Sequence, residues 1–245
     1  MATPNRLERP AFYALRPGGW RDLLTLLHPP YTAWHLSYVA IGAAVAPRFY
    51  GYRLVWTLVA FLLGLGVGAH ALDELHGRPL GTHLSDRALA TFATLSLAGA
   101  AAVGVIGAVT ISMWLLAFVA AGVLLAVAYN LELFGGRLHS DLWFAFGWGA
   151  FPALTAFWVQ AGELRAGGAL VAGACLMLSA AQRRLSTPVR KLRRRTVSVS
   201  GEQRLTSGRV VELDAASIVA PMEGALMACA LGMVLLATGL VVARL

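Results

Sequence analysis

The sequence predicts an all-α, multi-pass transmembrane bundle of about seven spans, and three observations predict it. The 245 residues are 58% hydrophobic and only 13% charged, with a mean hydropathy of +0.67, too apolar for a water-soluble domain. The apolar residues gather into seven runs, several of them near the ~20 residues a helix needs to cross a bilayer core. Lys and Arg divide unevenly between alternate connections, sixteen on one side and four on the other. That bias predicts a cytoplasmic N terminus, an outward C terminus and a place in the cell membrane.

The elements follow in order. The opening 30 residues are too polar, and their apolar stretch too short, for a cleaved secretory leader, so the first span directs insertion. The spans are expected over 33–45, 54–72, 89–105, 109–129, 142–160, 166–181 and 218–243. Small residues recur in them, as in "LSLAGAAAVGVIGAV" and "VAGACLMLSAA", and allow helices to approach closely. Gly147, Gly149 and Pro152 read as close packing and a kink, and Cys175 and Cys229 as reduced packing residues. After the sixth run a basic helix, "AQRRLSTPVRKLRRR", leads into "TVSVSGEQRLTSGRVVELD", which suits either a small hairpin or a disordered loop. Nothing divides the chain, so residues 1–245 form one integral-membrane domain.

Polar residues crowd the cytoplasmic connections. If the second span is helical, His70, Asp73 and Glu74 share one face at its C-terminal end. Two carboxylates there oppose the helix dipole unless a cation, such as Arg78 or a bound divalent metal, compensates. They read equally well as interfacial charges paired with Arg78 and Arg87. A haem held by His35 and His70 is disfavoured, because neither has a second histidine at its depth in the same helix. Tyr129 and Glu132 end the fourth span, and Arg137, His139 and Asp141 return the chain to the fifth. Arg183, Arg190 and Arg194 fall near one face of the basic helix, as lipid anchors or as guanidinium ligands for phosphate. The formal charge of +8 suits anionic headgroups or an anionic substrate and does not require nucleic acid.

Together these pieces resemble the UbiA superfamily of intramembrane prenyltransferases. "LRPGGWRDLLTLLHPPYTAWHLSYVAIGAAVA" is similar to that family's opening and first span, "AHALDELHGRPLGT" to its first Asp-rich segment, and "YNLELFGGRLHSDLWFAFGWGAFP" to the region after its fourth span. The resemblance implies an isoprenyl diphosphate donor, an acceptor of unspecified chemistry, and transfer of the prenyl group inside an apolar chamber. It makes Asp73 and Tyr129 the catalytic candidates and Asp73 and Glu74 the metal ligands. It assigns substrate contacts to His70, Arg78 and Arg137, with His139, Asp141, Arg183 and Arg190 beside them. Ala71 and Gly77 stand where the family motif has acids, and "QRRLSTPVRKLRRR" has no acid at all, so the Mg2+ requirement reduces to one ion at most. Without the metal site, the same scaffold reads as a non-catalytic isoprenoid- or lipid-binding accessory subunit. A transporter is third, since the charges crowd one face instead of the midplane.

Overall fold

The computed structural model describes residue 7 and residues 9–245, and it is mostly helical. The described residues form α1 (Trp20–Leu26), α2 (Pro29–Ala44), α3 (Gly51–Gly77), α4 (Asp86–Thr110), α5 (Leu115–Asn130), α6 (Asp141–Ala161), α7 (Ala166–Arg195) and α8 (Ala215–Val242). Helices α3, α4, α6 and α8 are long and apolar enough to cross a membrane, which makes the chain a membrane protein by helix length and composition. Helices α2 and α5 have 16 residues each, and the 30 residues of α7 end in a basic half.

Each apolar run of the sequence lies in a helix, but the fourth begins too early. Residues 109 and 110 complete α4, and the chain turns at 111–114 before α5 starts. Apolar side chains on both sides of that turn hide it from a hydropathy count. The connection after α7 folds as a hairpin of β1 (Gly201–Arg204) and β2 (Val210–Leu213), antiparallel, with Gly201 opposite Leu213. Its turn is closed by a bond from the Leu205 N–H to the Arg209 carbonyl (2.9 Å) and by Gly208 at φ 84°. The Val-Ser alternation before it stays outside the strands.

Helix α2 is the central post. Trp34 and Tyr38 are fully buried among Ala150 and Ala153 of α6, Cys175 of α7, and Leu226 and Ala230 of α8. Gly149 permits a close approach of α6 to α7: a Cβ there would lie 2.5 Å from the Cys175 carbonyl oxygen and 2.7 Å from Ser179 Cβ. Gly147 meets nothing within 4 Å and lines a groove instead, so only one of the two glycines packs as the sequence suggests. Two π-helical stretches, residues 62–69 in α3 and 146–150 in α6, shift the helix faces that follow them. The first runs directly into His70, and the second contains Trp148.

Candidate functional site

Helix α3 ends at Arg78, whose φ of 49° reverses the chain while its N–H bonds the Glu74 carbonyl at 3.0 Å. Glu74 is fully buried under that turn. One carboxylate oxygen accepts from the Leu80 N–H (2.9 Å) and the other from the Thr82 N–H and hydroxyl (2.8 and 2.9 Å). Arg78 donates to the Leu84 carbonyl at 2.6 Å and pairs with Asp86. Both residues are therefore spent on the loop, and neither reaches the cavity described next. Arg137 is exposed and also lies outside it.

Asp73, one residue earlier, points elsewhere. It lines a cavity of about 560 Å³ at the end of the bundle where α3, α5 and α7 finish and α2 begins. Its carboxylate has no hydrogen bond or ion pair with any described residue. Among the sequence candidates His70, Tyr129, His139, Arg183 and Arg190 line the same cavity. Asp141 stays outside but anchors Arg183, accepting from its Nε at 2.9 Å, and the guanidinium lies 5.1 Å above the Phe144 ring.

The α7 wall is cationic. Arg183, Arg190, Lys191 and Arg194 all line the cavity, and spacings of seven and four residues keep Arg183, Arg190 and Arg194 close on one face. Among the described residues Arg190 bonds only the Thr187 hydroxyl at 3.1 Å, and Arg194 only the Pro10 carbonyl at 3.1 Å. Apart from Asp141 on Arg183, no acid among the described residues pairs with these cations. Such a wall fits an anion with several oxygens.

The rest of the lining is polar, with Asp73 and Glu132 as its acids. The Tyr13 hydroxyl and His28 Nδ1 share a hydrogen bond of 2.6 Å, and burial raises the Tyr13 pKa and keeps the hydroxyl protonated. Burial, with His70 beside it, lowers the His28 pKa and keeps the ring neutral. The His70 ring stacks on His28 with centroids 4.2 Å apart, and His139 stacks on Tyr129 at 4.5 Å. His28 Nε2, His35 Nδ1 and the Tyr129 hydroxyl are buried without a partner among the described residues, and all three residues line this cavity. Buried polar atoms are rarely left orphaned, so three in one cavity mark a place for a polar ligand.

A second, apolar groove of about 250 Å³ runs between α3, α4, α5 and α6, lined by residues such as Phe61, Leu65, Ala69 and Phe151. Trp148 lines both spaces, 4.5 Å from the Tyr129 ring, and consecutive residues Ala69 and His70 face one space each. The molecule thus offers a cationic chamber adjoining an apolar one, which suits an amphiphile with an anionic head.

The donor set does not fit a two-ion magnesium centre. Glu74 is occupied, and among the described residues no three His, Cys, Asp or Glu side chains come together to hold an ion. The sequence reading also left out Tyr13, His28, Lys191 and Gln182. The cue for His28 was its position directly before Pro29 and Pro30, which fix the start of α2; the others carry no signal beyond residue type. Comparison with protein-family models, curated proteins and solved structures finds no match to this chain.

Proposed function

We propose that this chain is a divergent membrane prenyltransferase of the UbiA type, or a related terpene cyclase, acting on an isoprenyl diphosphate at the cytoplasmic face of the cell membrane. In this reading the seven helices from α2 to α8 all span. The observation that carries it is the pairing of an arginine-walled chamber with an apolar groove across Trp148. The diphosphate lies against Arg183, Arg190, Lys191 and Arg194, and the isoprenoid chain lies in the groove. The scissile carbon then falls beside Tyr129 and Trp148, whose ring faces favour a developing allylic cation. Arginines in place of a second metal stabilise the departing diphosphate. Asp73, whose carboxylate has no partner among the described residues, is where a single Mg2+ would enter with the substrate.

The test is thermal stability of the protein in nanodiscs with farnesyl and geranylgeranyl diphosphate, with and without Mg2+, followed by assay of diphosphate release. Stabilisation that Arg190→Gln abolishes, together with release, supports the enzyme. Stabilisation that no diphosphate can elicit defeats the reading. The spent Glu74 favours a second reading, an isoprenoid-binding accessory subunit, for which the result is stabilisation without release.

A further inference from the structure

If a prenyl cation forms at the junction of chamber and groove, something must take the proton its capture releases. Asp73 faces the cationic wall and is better suited to balancing it. We infer that His70 is the general base of this site, an inference that rests on the reaction proposed above.

The geometry fixes the tautomer. His70 Nδ1 lies 3.0 Å from the Gly66 carbonyl oxygen, which can only accept, so the ring proton is on Nδ1 and the lone pair is on Nε2. No described residue donates to Nε2. The carbonyl is available because Gly66 lies in the π-helical stretch of α3, and the stacked His28 ring holds the imidazole plane. His35 is also oriented, its Nε2 lying 2.9 Å from Gln182 Oε1, but neither Trp34 nor Leu36 beside it lines the groove. His70 follows Ala69, which lines the groove, and itself lines the chamber, so its lone pair sits where head and tail of an amphiphile meet.

The step balances. The bond between the donor's first carbon and its diphosphate oxygen breaks, and the electron pair leaves with the diphosphate. A nucleophilic atom bearing hydrogen, on the acceptor or on water, bonds to that carbon, and its proton passes to His70 Nε2. His70 then releases the proton to solvent through the polar chamber. The acceptor class is therefore a neutral nucleophile with a removable hydrogen.

The experiment measures farnesol formation and diphosphate release from farnesyl diphosphate by wild type, His70→Ala and His70→Gln in nanodiscs, water serving as acceptor, with donor-induced thermal shift recorded for each. We expect kcat for farnesol formation to fall by about 100-fold in both variants with KM within about twofold, and added imidazole to restore about tenfold in His70→Ala. The thermal shift should stay at the wild-type value. Unchanged kcat, a rise in KM alone, or a loss that imidazole does not relieve in a variant that still binds donor overturns the base. Loss of the thermal shift in both variants assigns His70 to binding and also overturns it. Absence of both shift and release in wild type overturns the underlying reaction, a result distinct from the failure of His70 alone.

Discussion

The turn after α3 and the wall of α7 carry similar charged residues and use them in opposite ways. In the turn, Glu74 meets two backbone N–H groups and a hydroxyl, and Arg78 meets a carbonyl and Asp86, so every strong donor and acceptor is answered within about a dozen residues. On the wall, Arg190 and Lys191 have no acid among the described residues to answer them, and the one described partner of Arg194 is a backbone carbonyl. The lesson is that a charged residue near a membrane becomes structure or site according to its company. Adjacent residues can differ: Glu74 belongs to the turn, and Asp73 to the chamber.

The sharpest way to break this contrast is Glu74→Ala, which strands the Leu80 and Thr82 N–H groups under the turn. It should cost about 3 kcal/mol of stability, read as a lower unfolding midpoint, while the surviving folded fraction keeps its affinity for diphosphate. Arg190→Gln should do the reverse. Folding stability should hold, and prenyl diphosphate binding should weaken by about 2 kcal/mol, close to thirtyfold in Kd by titration. If that variant loses stability instead, the wall is structural.

A pH series sharpens the same division on the histidine side. The ordinary histidine value is 6.5, and burial, with His70, holds folded His28 below it. Above that value both states are neutral and His28 contributes no pH dependence. Below it the unfolded chain takes up a proton that the folded chain refuses, so stability falls by up to about 1.4 kcal/mol per pH unit. The midpoint should drop as pH is lowered from about 7 to about 5.5, and His28→Phe should flatten that slope. Smallest of all is Asp86→Asn. Asp86 is the exposed partner of Arg78, and its loss should change stability by about 0.5 kcal/mol or less, since Arg78 keeps its bond to Leu84.

The helices were legible because seven runs of apolar residues have few other ways to satisfy their backbones in lipid. The α4–α5 turn was not, because apolar residues fill both sides of it. The hairpin stays open in the sequence because β1 is exposed throughout and only the four residues of β2 alternate. For the site, helical spacing correctly put His70 and Asp73 on a shared surface, but i, i+4 spacing also drew in Glu74. What separates Asp73 from Glu74 is a loop six to eight residues onward folding back onto one of them, and no periodicity records that. The pairing of His28 with Tyr13 is invisible in the sequence because the folding of the N-terminal segment brings the two together.

That segment has a consequence for how the protein is made. Pro10, Phe12 and Tyr13 roof the chamber, and the roof is tied down by Arg193 and Arg194, which donate to the carbonyls of Arg9 and Pro10 across 184 residues of chain. Residues 9 and 10 are thus fastened by residues made 184 positions later. Until α7 is made its cationic wall does not exist, so a nascent chain short of that point lacks the arginines that line the chamber. Completion of α7 is therefore the event that assembles the site.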